Sequence, residues 1–97
     1  MKNILNRQSI NEKLSNIFIS RFGIDLNEVT NEDYDRHLLG SVFRLAPRDL
    51  VYIYLDIERE FGISIPDAAV ASGALATING TIDLICSQLH KIDQDAV

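Results

Sequence analysis

Apolar side chains recur along this chain at the spacing of amphipathic helices, in three separate stretches. The first consists of Ile10, Leu14, Ile17, Phe18 and Phe22. The second consists of Leu50, Ile53, Tyr54, Ile57 and Phe61. The third consists of Ile78, Ile82, Ile85 and Leu89. Steps of three and four residues place each set on one face of a helix, so the pattern predicts helices over 9–22, over 47–61 and from 78 onward.

The residues that flank these stretches suit helix ends. Ser9 and Glu12 have the spacing of a capping box, and Gly23 supplies a left-handed stop for the first helix. Pro47 suits the first position of the second helix, where its missing N–H is not needed, and Gly62 ends that helix. Thr77 is expected to cap the last helix.

The remaining segments contain no convincing strand. Residues 63–65 alternate in polarity, but they have no partner strand and are expected to be an extended connector, with Ile65 in the core. Pro66 is expected to start a short helix that runs to about Ser72. The acidic connector 24–46 is long for a small domain, which is typical of a segment that carries function or a short helix.

These elements predict an all-α fold of three long helices and a short third one. The 97 residues are expected to form one domain, with its core within about 9–90, because either half would bury too little apolar surface alone. Residues 93–97 are expected to fray. Gly80 inside the last helix is expected to weaken it by about 1 kcal/mol relative to alanine.

Composition narrows the classes of function. A net charge of −5 leaves no basic face for nucleic acid. The apolar run 50–55 is too short to cross a membrane, and residues 1–7 lack the apolar region of a signal peptide, so we expect a cytoplasmic protein. We also expect it to be a monomer. The single cysteine, Cys86, excludes an internal disulfide and a multi-cysteine zinc site.

The sequence offers no catalytic or metal-binding constellation. Cys86 is interpreted as a small, buried or half-buried apolar side chain of the last helix. His37 and His90 lack ligand spacing and are expected on the surface, and the acidic pair Asp56 and Glu60 is expected on a solvated helix face. The chain is therefore not expected to be an enzyme or to bind a metal.

Two motifs resemble acyl carrier proteins. Residues 50–67, ending in Glu60-Phe61-Gly62-Ile63-Ser64-Ile65-Pro66-Asp67, are similar to the second helix and following loop of that family. The threonine-capped stretch 77–85 is similar to its fourth helix. The resemblance covers about residues 9–90 and implies a four-helix carrier bundle.

The chain departs from the family at the attachment site for phosphopantetheine. The family carries this group on a serine in an Asp-Ser-Leu motif, and the family's spacing back from Phe61 places Pro47 at that position. Proline has no hydroxyl, so no cofactor is expected there. Ser41, after Leu39-Gly40, is the fallback site, but it lacks the flanking aspartate, and a helix starting there would contain Pro47 in its interior.

The start Pro47-Arg48-Asp49-Leu50 is similar to a subgroup of acyl-carrier-related proteins in bacterial peptide-maturation (bacteriocin-type) cassettes. Three functions stay open: an adaptor without the prosthetic group that docks onto pathway proteins, a thioester carrier modified at Ser41, and a structural or regulatory helical module. The first is favoured. The expected docking residues on the second helix are Arg48, Asp49, Tyr52, Leu55, Asp56 and Arg59. In the family this face is acidic and meets basic partners, whereas Tyr52 and Arg59 stand here in place of acids.

Overall fold

The computed structural model describes residues 6–95, and the side chains of 6–91. Four α-helices follow one another along the chain: α1 (Arg7–Phe22), α2 (Pro47–Phe61), α3 (Asp67–Ala71) and α4 (Ile78–Asp95). No strand occurs within these residues. Helix α1 packs against both α2 and α4. The prediction of an all-α fold with three long helices and a short third one is confirmed. The expectations for residues 1–5 and 96–97 lie outside the described residues.

The start of α1 differs from the prediction. Asn6 is the N-cap, and its side-chain oxygen accepts a 2.8 Å hydrogen bond from the Ser9 backbone N–H. The predicted capping box of Ser9 and Glu12 is therefore wrong, because Asn6 caps the helix three residues earlier and Ser9 lies inside the first turn. The earlier start brings Arg7 into the helix, where its guanidinium reaches Asp83 at 2.6 Å on α4.

The start and end of α2 agree with the prediction. Pro47 occupies the first helical position, and the Asp49 carboxylate accepts a 2.8 Å hydrogen bond from the Ala46 backbone N–H. Gly62 ends the helix with a φ of 65°, a left-handed conformation that costs glycine little. Thr77 caps α4 as expected, because its hydroxyl accepts a 2.9 Å hydrogen bond from the Gly80 N–H.

The core contains most of the predicted apolar residues. The predicted residues that are buried are Ile10, Leu14, Ile17, Phe18, Ile53, Ile57, Phe61, Ile65, Ile78, Ile82 and Ile85. Phe22, Leu50 and Tyr54 were expected inside but are only half-buried. Leu50 and Tyr54 stay partly open because they line a groove between α2 and α3 that no other described segment fills.

The connector contributes to the core more than its acidic composition indicated. It contains two short 3-10 helices, Leu26–Glu28 and Asp33–Asp35, in agreement with the expectation of a short helix. Its buried side chains are Leu26, Leu38, Phe43 and Leu45. A 3.1 Å hydrogen bond from the Leu45 N–H to the Leu38 carbonyl joins the two ends of loop 38–45. The Leu38 N–H donates in turn to the Ala76 carbonyl at 2.7 Å.

Helix α4 runs to Asp95 and contains Gly80 in its first turn. Residues 93–95 continue the helix, because no glycine or proline follows His90 to end it. Gly80 is a requirement of packing as well as a weak helix former, because a Cβ atom there would lie 2.7 Å from the Ala74 carbonyl oxygen. Within residues 6–95, no helix combines the length and apolarity needed to span a membrane.

Candidate functional site

The candidate site begins on the side of α2 that faces away from the core. Arg48, Val51, Tyr52, Leu55 and Arg59 are all exposed there, and we call these five residues the outer face of α2. The three uncharged side chains are 56%, 44% and 47% exposed, in chain order. Arg48, Tyr52, Leu55 and Arg59 were predicted on this side. Val51 was not, although its spacing of three from Arg48 and four from Leu55 points to the same face.

An ion pair joins the flank of this face to α1. The Arg21 guanidinium donates two hydrogen bonds of 2.8 Å, one to each carboxylate oxygen of Asp56. The same guanidinium lies 4.8 Å from the centroid of the Tyr52 ring, within cation–π range. The Asp56 side chain is only 14% exposed, and the hydrogen bonds from Arg21 hold the pKa of this carboxyl below its usual value. Asp56 therefore stays ionised and bound to α1.

The other acidic side chains of α2 also bind within the chain. Asp49 accepts from the Ala46 N–H, as described above. Glu58 accepts a 2.8 Å hydrogen bond from the Ile65 backbone N–H, which fastens the loop after α2. Glu60 lies 3.7 Å from the Lys13 ammonium group on α1. Asp49 and Asp56 lie on the flank of the outer face, as predicted, but both carboxylates have partners inside the molecule.

An apolar groove of about 680 Å³ lies next to the outer face, between α2 and α3. Its walls include Pro47, Leu50, Val51 and Tyr54 from α2 and Val70 from α3. Val51 lies in both the groove and the outer face, so the two form one continuous apolar surface. Burial, followed by the negative charge of Glu58, raises the pKa of the Tyr54 hydroxyl, which contacts the Ile65 carbonyl oxygen at 3.3 Å.

Ser41 lies at the tip of loop 38–45, exposed to solvent. Leu39, two residues earlier, lines the groove. Arg44 has a φ of 55° and its Nε donates a 3.2 Å hydrogen bond to the Ser41 carbonyl oxygen, which holds the loop tip in its turn. Pro47 and Leu39 thus both line the groove, whereas Ser41 itself does not.

Of the other chemically reactive side chains, His37 lines the groove, whereas Cys86 and His90 lie on α4. Cys86 is half-buried against the core on α4, as expected. His37 and His90 are exposed, and the His37 Nδ1 accepts a 3.1 Å hydrogen bond from the Leu39 N–H. In the part of the chain that the structure describes, no three His, Cys, Asp or Glu side chains converge as a metal site would require.

Comparison with known proteins shows a similarity that covers most of the chain. The chain is 30% identical to the acyl carrier protein of Rubrobacter xylanophilus over 81 residues, which cover 84% of this chain and 93% of that protein. No family model matches the chain. No solved structure matches it at a significant level.

Proposed function

The chain belongs to the acyl carrier protein family, and we propose on that premise that it acts as an adaptor that docks onto another protein through the outer face of α2. The observation that carries this proposal is the exposure of Val51, Tyr52 and Leu55 side by side on a helix whose opposite face is buried. Tyrosine is enriched at binding hot spots, and so is arginine, the residue type that flanks this group at positions 48 and 59.

The proposal includes the absence of a prosthetic group at the start of α2. The family's spacing assigns the phosphopantetheine serine to position 47, which is proline in this chain. A phosphodiester needs a hydroxyl, so a carrier reaction at this position has no attachment atom. The sequence Pro47-Arg48-Asp49-Leu50 supports a place in a bacterial peptide-maturation pathway. The expected docking residues are Arg48, Tyr52, Leu55 and Arg59, with Asp49 and Asp56 on the flank.

The docking test is a titration of the protein against proteins encoded by neighbouring genes. Leu55→Ala and Tyr52→Ala should each weaken binding at least about 5-fold, the range expected when a well-packed interface side chain is truncated. Ile19→Ala is the matched control, because Ile19 on α1 is 45% exposed, nearly as much as Leu55, but lies on another helix. Full binding by both folded α2 variants, with loss in Ile19→Ala, would place the docking site elsewhere.

A second function is a thioester carrier that is modified at Ser41. The observation in its favour is the position of Ser41, which is exposed two residues after Leu39, a residue of the apolar groove. The test is intact mass after incubation with coenzyme A and a promiscuous phosphopantetheinyl transferase. The adaptor proposal expects no change of mass, and Pro47→Ser alone is not expected to restore modification because Ala46 and Arg48 differ from the family motif. A gain of one phosphopantetheine that Ser41→Ala abolishes would establish the carrier function.

The third function is a structural or regulatory module, and binding to proteins encoded by neighbouring genes distinguishes it from an adaptor. An adaptor should bind a protein from its own gene cluster through α2. A module that resembles carriers in fold alone need not do so, since one fold supports many functions.

A further inference from the structure

The charge that the surface of α2 presents to a partner differs from the charge obtained by counting its acidic and basic residues. The helix contains four acidic residues, Asp49, Asp56, Glu58 and Glu60, and two arginines. All four carboxylates have a partner inside the chain, namely two backbone N–H groups and the side chains of Arg21 and Lys13. The acidic groups of α2 are thus directed to other parts of the protein.

The two arginines are the charges left on the outer face. None of the ion pairs among the described residues involves Arg48. Arg59 is 78% exposed and lies 4.0 Å from Asp56, whose oxygens already accept hydrogen bonds from Arg21. The outer face therefore has an apolar centre with a cationic group at each end.

The spacing of this arrangement is set by the helix. Arg48 and Arg59 are eleven residues apart, which corresponds to about 16 Å at 1.5 Å per residue. Val51, Tyr52 and Leu55 lie between them on the same side of the helix. A complementary surface needs apolar side chains at its centre and two carboxylates about 16 Å apart.

The net charge of −5 repels an acidic partner, whereas the two arginines attract one, and the repulsion acts over a longer range. At physiological ionic strength charges are screened over about 8 Å. The acidic connector therefore affects the approach of a partner more than its bound contacts, and the arginines at the interface decide which charge is preferred.

We propose that the partner of the outer face is an acidic amphipathic helix, with apolar side chains against Val51 and Leu55 and carboxylates against Arg48 and Arg59. This inference rests on the proposed docking function and names the chemistry of the partner. This partner has the opposite charge to the basic surface that an acidic helix face would bind.

The experiment uses two synthetic helical peptides of about 15 residues, long enough to span the face. Both have the same leucine stripe, flanked by glutamates in one and by lysines in the other. Each is titrated into the isotope-labelled full chain while the backbone amide signals are followed by NMR. The glutamate peptide should shift signals of residues 48–59 and bind at least about 5-fold more tightly than the lysine peptide.

Charge reversal supplies the decisive comparison. The Arg48→Glu/Arg59→Glu variant should reverse the preference between the two peptides. The Arg36→Glu/Lys91→Glu variant changes the net charge equally at exposed positions away from α2 and should keep the original preference. Tighter binding of the lysine peptide by the unmodified chain, absence of binding by both peptides, or an unchanged preference in Arg48→Glu/Arg59→Glu would overturn the inference.

The same variants separate this inference from the docking proposal. If a protein encoded nearby loses binding to Leu55→Ala but not to Arg48→Glu/Arg59→Glu, docking on α2 stands and the acidic partner is excluded. If Leu55→Ala binds that protein fully, the docking proposal itself fails.

Discussion

Arg21 and Asp56 join α1 to α2 through two hydrogen bonds of 2.8 Å, although the residues are 35 positions apart in sequence. The paired geometry of guanidinium and carboxylate makes this tie stronger than a single surface contact. The Asp56 side chain is mostly buried while Arg21 keeps more than a third of its surface in solvent. This contact fixes the flank of the outer face, because the same guanidinium lies over the Tyr52 ring.

A double-mutant cycle should detect this tie. Arg21→Ala and Asp56→Ala are expected to show a measurable stabilising coupling in urea unfolding, reduced by high salt because the pair is partly exposed. The control cycle uses Asp33 and Arg36, a pair 3.6 Å apart that is more exposed than Arg21 and Asp56, for which the coupling should be near zero. Equal couplings in the two cycles would contradict the structural role of Arg21.

The contribution of Asp56 should depend on pH. Its pKa is lower in the folded protein than the value of about 3.9 typical of unfolded chains, so its ionised form favours folding. This stabilisation is complete above the unfolded pKa and is lost as the pH falls through the folded pKa. The difference in unfolding free energy between the unmodified chain and Asp56→Asn should therefore stay constant from about pH 5 to 7 and shrink below about pH 4.

Urea unfolding across that pH range measures the effect. In an Arg21→Ala background, the difference that Asp56→Asn makes should lose most of this pH dependence, because Arg21 is the main cause of the lowered pKa. An undiminished dependence without Arg21 would assign the effect to another group.

Gly80→Ala should destabilise the protein, although alanine is the better helix former by about 1 kcal/mol. The added Cβ atom would lie 2.7 Å from the Ala74 carbonyl oxygen, and a backbone atom cannot move aside as a flexible side chain can. We expect a net loss of about 1–3 kcal/mol, as for other overpacked sites. Thermal unfolding measures it, with Ser87→Ala on the exposed side of α4 as a control that should not destabilise.

Leu38 and Leu39 provide a matched pair for the role of the connector. Leu38 is fully buried and Leu39 is exposed, so the same truncation removes core packing in one case and surface area in the other. Leu38→Ala should cost about 2–5 kcal/mol, and Leu39→Ala should stay within about 0.5 kcal/mol. Phe61→Ala, which truncates a buried aromatic of α2, should cost about 3–5 kcal/mol. A small effect at Leu38 would show that loop 38–45 is not part of the core.

The helices were predictable where local chemistry decides them. Pro47 and Gly62 each suit only one end of a helix, and α2 begins and ends as they indicate. The start of α1 was less predictable, since Asn6 and Ser9 are both good caps and the earlier one is used. The spacing of apolar residues identified the helix faces, because that spacing repeats every turn.

The parts that the sequence did not reveal depend on contacts between distant residues. Leu38 and Phe43 are buried although they belong to a loop, and side chains of a loop have no periodic pattern that would identify them. The pairing of Asp56 with Arg21 and of Glu60 with Lys13 depends on how α1 lies against α2. Most positions of the outer face were therefore predictable, but the internal pairing of the acidic side chains around it was not.

Loop 38–45 can also change in length without moving the helices on either side of it. The hydrogen bond between Leu45 and Leu38 closes the loop at its base, and Phe43 anchors it in the core. Residues inserted between Gly40 and Val42 would enlarge the exposed tip at a small entropic cost and leave Pro47 where it is. An affinity tag or fluorophore placed there would report on a partner at the neighbouring groove while the four helices keep their packing.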